Sequence, residues 1–214
     1  RHTRLRTVTG VQTCALPISV AYGFGDASGK GFCGTLGYHD SVNYRIGVWG
    51  RDADSESSNY KELRNLVETT EEEAAAGRLF NAEFFLFTDN STAENSFYRG
   101  SSKSKSLHEL VLRLRKLELE FNLVIHLIHV AGTRMIAQGT DGGSRGSLLE
   151  GVMTGKPMLD FVELAKSAIE RYPPLLRWIR TWAGVRAISP LTPEQWFVEG
   201  HGINGGEINA DGVW

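Results

Sequence analysis

The sequence changes from one periodicity to another and back, and the order of those changes restricts the fold more than any other feature. Residues 20–26 alternate with a period of two, Val20, Tyr22 and Phe24 against the small Ala21, Gly23 and Gly25, which is a strand pattern. Gly29-Lys30-Gly31 is a turn signal, and residues 32–38 and 44–49 read as the next two strands, giving an antiparallel meander. Residues 52–58 are polar and loop-like. From there the apolar spacing turns helical: Ser57 or Ser58 caps a helix over 59–76, with Leu63, Leu66, Val67 and Thr70 on its buried face. A short apolar strand over 83–88 follows, then a brief helix over 91–99 and a Ser/Lys loop over 100–106. An amphipathic helix over 107–121 turns Leu107, Leu110, Val111, Leu114 and Leu117 inward and Arg113, Lys116 and Glu120 outward, and a fifth strand spans 123–130. Three hairpin-linked strands followed by helical crossovers predict an α/β chain built on a mixed five-stranded sheet flanked by helices. In such a sheet the first strand is central and the fourth lies beside it after a right-handed crossover. Their carboxyl ends then meet at a topological switch point, where open α/β sheets bind ligands.

The two ends differ from this middle. Residues 8–18, Val-Thr-Gly-Val-Gln-Thr-Cys-Ala-Leu-Pro-Ile, read as a sequencing-library adapter translated in frame, so residues 1–19 are set apart from the fold as an exogenous segment and the natural chain is expected to begin upstream. That segment holds Arg1, Arg4 and Arg6 of the 23 basic residues and none of the 25 acidic ones; without it the net charge moves from −2 to −5. An acidic chain that binds nucleic acid must concentrate its cations locally or recruit metal ions. Residues 20–150 hold the alternation of strands and helices and read as one domain. Residues 151–214, punctuated by prolines and holding Trp178, Trp182, Trp196 and Trp214, read as a C-terminal helical appendage that needs a neighbour. Two cysteines, Cys14 and Cys33, supply neither a disulfide framework nor a zinc cluster, and no apolar run approaches the ~20 residues of a membrane span.

Four carboxylates fall where this fold would bring them together. Asp26 ends the first strand in Gly25-Asp26-Ala27-Ser28-Gly29, Glu62 lies in the first turn of the long helix, Asp89 ends the fourth strand in Thr88-Asp89-Asn90-Ser91, and Asp141 follows the fifth strand in Gly139-Thr140-Asp141-Gly142-Gly143-Ser144-Arg145. Singly, each has a plain structural use: a turn for Asp26 and Asp141, a helix cap for Asp89, a dipole partner for Glu62. Jointly they form a set that repels itself unless cations neutralise it. Mg²⁺ prefers carboxylate oxygen, and two such ions can activate a water and stabilise the leaving oxygen of a phosphodiester, so Mg²⁺, with Mn²⁺ as substitute, is the expected cofactor.

These four strings, in this order over residues 20–150, resemble the RNase H domains of reverse transcriptases. The resemblance implies an RNase H-like fold, a metal-dependent endoribonuclease that cuts the RNA strand of an RNA–DNA hybrid, Asp26, Glu62, Asp89 and Asp141 as catalytic metal ligands, a polymerase domain upstream as partner, and a cytoplasmic or nuclear retroelement particle as setting. The wording around Asp141 resembles DIRS-like retroelements. Such a nuclease reads phosphates and 2′-hydroxyls; the candidates here are Lys30, Asn90, Ser91, Arg99, Lys103 and Lys105. The gap after Arg99 is too short for the extra basic helix of some cellular relatives, so affinity is expected to come from an attached polymerase. The family's mobile loop histidine has no counterpart inside the loop: His126 and His129 lie on the fifth strand and read as structural. Two other readings are a catalytically silent connection module that scaffolds the polymerase, and a transposase or integrase of the same fold. The complete carboxylate set disfavours the first, and the helix Glu with a late Asp the second.

Overall fold

The computed structural model describes residues 19–38 and 41–154. The adapter-like residues up to 18 and nearly all of the proposed appendage, with its four tryptophans, lie outside the described residues. Five strands form one sheet: β1 (Ser19–Ala27), β2 (Gly31–Tyr38), β3 (Ser41–Val48), β4 (Ala82–Thr88) and β5 (Val124–His129). Their order is β3-β2-β1-β4-β5. β1 pairs antiparallel with β2 and parallel with β4, and β4 pairs parallel with β5. This is the mixed, centrally nucleated sheet expected from the element order. β1 takes in Ser19, which pairs with Ala82, so the strand starts one residue inside the segment set apart above.

The helices are α1 (Ser58–Ala75), α2 (Ser91–Arg99), α3 (Lys105–Glu120), α4 (Gly132–Gln138) and α5 (Thr140–Ser144). Ser57 caps α1 by accepting from the Tyr60 amide. Ser104 caps α3, which therefore begins two residues before the predicted start, inside the Ser/Lys stretch. All nine apolar or threonine positions predicted to face inward on α1 and α3 are buried. Each fully buried leucine among them stabilises the fold by about 1.5–3 kcal/mol.

β1 departs from a simple two-faced strand. Ala21 packs in the apolar cluster with α1 and α3, while Tyr22 and Phe24, pointing the opposite way, are equally buried. The second face is covered by α4 and α5, which pack on β1 and β2. Neither helix is evident in the sequence, and Asp141 consequently lies in the first turn of α5 rather than in a loop. Among the described residues no helix is long and apolar enough to cross a membrane.

Two glycines set the distance between α1 and the sheet. Gly25 and Gly34 are paired directly across β1 and β2. A Cβ on Gly25 would stand 2.3 Å from Leu66 Cδ2, and one on Gly34 2.2 Å from Thr69 Oγ1. Only a bare backbone admits the helix this closely, and Leu66 is one turn beyond Glu62. The same close approach lets Asn65, fully buried, donate to the carbonyls of Asp26 at 2.9 Å and Cys33 at 2.8 Å.

Candidate active site

The carboxyl ends of β1 and β4, the start of the second turn of α1 and the first turn of α5 converge at one end of the sheet; α1 begins at Ser58, so Glu62 falls just past the first turn expected from the sequence. Asp26 is buried at the end of β1, where its Oδ1 accepts from the Ala27 amide at 2.8 Å. Its carboxyl is raised from 3.8 to about 7, first by burial, then by the charge of Asp89, with Asp141 adding a smaller push. Glu62, half-buried, is raised from 4.5 to about 7, again first by burial; the Asn90 side chain opposes the shift, and Asp89 and Asp26 add to it. The mutual influence ties all four predicted carboxylates into one electrostatic unit.

Other groups hold this unit in place. Arg145, one turn along from Asp141, donates to its Oδ1 through Nη2 at 2.8 Å and Nε at 3.2 Å. The Ser28 hydroxyl donates to the Ser144 carbonyl, tying the β1–β2 turn to α5. Lys61 is buried and donates to the Gly29 carbonyl at 3.0 Å, bracing the same turn from α1. At the other strand end, a Cβ on Gly132 would come within 3.0 Å of Asp89 Oδ2, so the start of α4 stands directly against that carboxylate.

Hard oxygen donors from four elements, two of which take up a proton far more readily than usual, fit a divalent cation in chemistry. Their spacing is wider than a closed cage: among the described residues no three Asp, Glu, His or Cys side chains stand as ligands around one point.

The other predicted residues separate into two groups. Asn90 is buried and its Oδ1 caps α2 by accepting from the Thr92 and Ala93 amides, while its Nδ2 donates to Asn59 at 3.0 Å. Ser91 is exposed at the first position of α2, and Lys30 is exposed in the β1–β2 turn. Arg99 and Lys103 line a groove at the far end of α2. Lys105 points away from it toward Glu109, 3.8 Å distant on α3. His126 sits in the sheet with Nε2 2.7 Å from Glu83 Oε1, stacked on Phe85, and the His129 amide donates to Glu94 at 2.8 Å. Asn65, Lys61 and Arg145 were not singled out from the sequence. Their signal is positional, each lying within four residues of a predicted carboxylate on the same helix.

No family model matches the sequence, and no curated protein matches it. Solved structures do resemble it. RNase H1 from Halobacterium salinarum is 21% identical over 54% of this chain and 86% of its own, with a TM-score of 0.42. The N-terminal RNase H domain of a Mycobacterium tuberculosis protein is 18% identical over 54% of this chain and 85% of that one, with a TM-score of 0.44. A foamy viral protease-reverse transcriptase in complex with an RNA/DNA hybrid is 15% identical over 66% of this chain and 22% of that one, with a TM-score of 0.39. The fold class, a mixed five-stranded sheet with flanking helices of RNase H-like order, stands on the strand pairing described above.

Proposed function

We propose that this chain is a metal-dependent endoribonuclease that hydrolyses the RNA strand of RNA–DNA hybrids, as the RNase H part of a retroelement reverse transcriptase. The observation that carries the reading is the convergence of Asp26, Glu62, Asp89 and Asp141 from four elements onto one strand-end site, with two carboxyls raised to about 7. An array that costs this much to ionise has no structural advantage over a neutral one; it suits a site that receives positive charge.

Asp26 and Asp89, on adjacent strand ends, are the residues that would hold divalent ions between them, with Glu62 and Asp141 completing the donor set. When bound, Mg²⁺ or Mn²⁺ supplies an activated water and stabilises charge on the leaving oxygen. The protein's own work is positioning. Asn65 fixes the Asp26 backbone, Arg145 holds the Asp141 carboxylate, and the bare Gly132 lets the start of α4 approach Asp89 closely. Exposed Lys30 and Ser91 flank the site as backbone contacts. RNA selectivity rests on 2′-hydroxyl and shape recognition rather than base identity.

The test incubates the full chain with a labelled hybrid, a DNA duplex and single-stranded RNA, with Mg²⁺, Mn²⁺ or EDTA. Cleavage of the hybrid's RNA strand that depends on metal is expected. Hybrid binding without cleavage under any metal, alone or fused to a polymerase, would establish the silent scaffold instead. Equal cutting of the DNA duplex would overturn the hybrid preference.

A further inference from the structure

Among the ion pairs of the described residues, one alone touches a member of the carboxylate set: Arg145 on Asp141. Arg45, Arg64, Arg78, Arg113 and Arg115 pair instead with glutamates of α1 and α3 or with Asp52 ahead of α1. The Arg145 pair is the loosest of these. Its side chain is 62% exposed, against 9% to 41% for the other five. Both of its bonds, 2.8 Å from Nη2 and 3.2 Å from Nε, fall on Oδ1 of Asp141, and among the described residues no second side chain holds it. A guanidinium spread over both carboxylate oxygens is held more firmly.

Asp141 and Arg145 each have a second charge beside them. The Asp141 side chain also faces the Asp26 carboxyl and adds to the push on its proton. Arg145 holds its own proton more tightly than usual, first through the bond to Asp141, with the charges of Asp26 and Glu150 adding to this. Glu150 packs on Gly142, the residue after Asp141, where an added Cβ would stand 2.6 Å from Glu150 Oε2. The Gly142 carbonyl accepts from the Arg145 amide at 2.9 Å, so Asp141, Arg145 and Glu150 surround one turn of chain. Glu150 Oε2 is buried and has no hydrogen-bond partner among the described residues. A buried carboxylate oxygen in that condition is costly until a donor reaches it. Arg145 is the charged donor whose field it shares.

We propose that Arg145 competes with a divalent cation for Asp141, and transfers its guanidinium to Glu150 when displaced. The proposal rests on the metal site of the nuclease reading and adds two positioning residues to it. On Asp141, the guanidinium offsets repulsion within the carboxylate set. It also opposes any cation that approaches the same carboxylate. Glu150 resolves this conflict, because the displaced guanidinium meets a buried acceptor that has no other donor. Its positive charge then leaves the site without being stranded, and the side chain stays close enough to return. Metal affinity is in this way set by two residues that bind no metal.

The test titrates Mn²⁺ into the full chain by calorimetry, for wild type, Arg145→Gln, Glu150→Gln and the double variant, with a melt in EDTA to show that each folds. Arg145→Gln should tighten Mn²⁺ binding about tenfold, the scale of coupling between neighbouring charged groups. Glu150→Gln should weaken it about fivefold while Arg145 is present and less than about twofold once Arg145 is gone, because the carboxylate acts through the guanidinium. Should Glu150→Gln fail to fold, Glu150→Asp, which keeps the charge and withdraws it, gives the same comparison. Equal weakening in both backgrounds would mean two independent charges and overturns the transfer. Weaker binding in Arg145→Gln overturns it as well, since Arg145 would then be a support that the metal needs. Cleavage of a labelled hybrid in Mg²⁺ is measured separately. Independent effects with wild-type cleavage refute the transfer and keep the nuclease; coupled effects without cleavage refute the nuclease and keep the transfer; a wild type that binds no Mn²⁺ refutes both.

Discussion

Asp26→Asn should make the protein more stable in EDTA, by a margin that is absent at pH 4, grows as pH rises to 7 and is full above it. The native carboxyl is raised from 3.8 to about 7, so the folded state holds a proton that the unfolded chain has already released. Stability from such a group is fully present below pH 4, falls as pH rises from 4 to 7, and is flat beyond. Three units correspond to a ceiling of about 4 kcal/mol. Part of the push comes from neighbours that can relax, and the asparagine amide must find a partner in a buried place. The expected gain at pH 8 is therefore about 2 kcal/mol, or ~4–8 °C in Tm for a chain of this size. The substitution keeps the shape and the acceptor used by the Ala27 amide. The assay is a thermal melt of wild type and variant at pH 4, 6 and 8 in EDTA, repeated at pH 8 with Mg²⁺. The gap should be near zero at pH 4 and largest at pH 8, and Mg²⁺ should raise the wild-type Tm more than the variant's. A gap that does not change with pH, or a variant that melts lower throughout, would show that Asp26 is held by contacts and not opposed by repulsion.

Asp89→Asn should lower metal-dependent cleavage on the order of 10²–10³-fold without lowering the Tm, checked by single-turnover cleavage beside a melt. Asn65→Ala should cost about 2–4 kcal/mol in urea unfolding, because the carbonyls of Asp26 and Cys33 lose their shared donor and a cavity opens at a fully buried position. Gly34→Val should destabilise by at least 1–3 kcal/mol, since even a Cβ meets Thr69 at 2.2 Å; a neutral outcome would mean that α1 shifts freely on the sheet. Arg45→Met removes the 2.7 Å pairs with Glu68 and Glu72 while Arg64 still holds Glu68 at 2.7 Å, and a loss of about 2 kcal/mol at pH 7 that shrinks below pH 4 is expected from equilibrium unfolding.

The sheet order and the positions of Asp26, Glu62 and Asp89 were legible because they depend on local periodicity and short-range signals: alternation in β1, Ser57 ahead of α1, a strand that stops at Thr88. What stayed hidden depends on partners distant in sequence. α4 and α5 carry no side-chain cap, and glycines 139, 142, 143 and 146 read as turn chemistry. They are helical because the second face of the sheet needs a cover, and the bare Gly142 admits the segment that follows α5: a Cβ there would come within 2.6 Å of Glu150 Oε2. Weak propensity overruled by packing is the general reason such segments escape pattern reading. The placement matters for the chemistry. In a loop, Asp141 would be one acidic group among several choices of geometry; in α5 it is one turn from Arg145, and the Ser28–Ser144 contact fixes that helix against the end of β1. The fourth carboxylate thus reaches Asp26 through a helix that the sequence disguises as a turn.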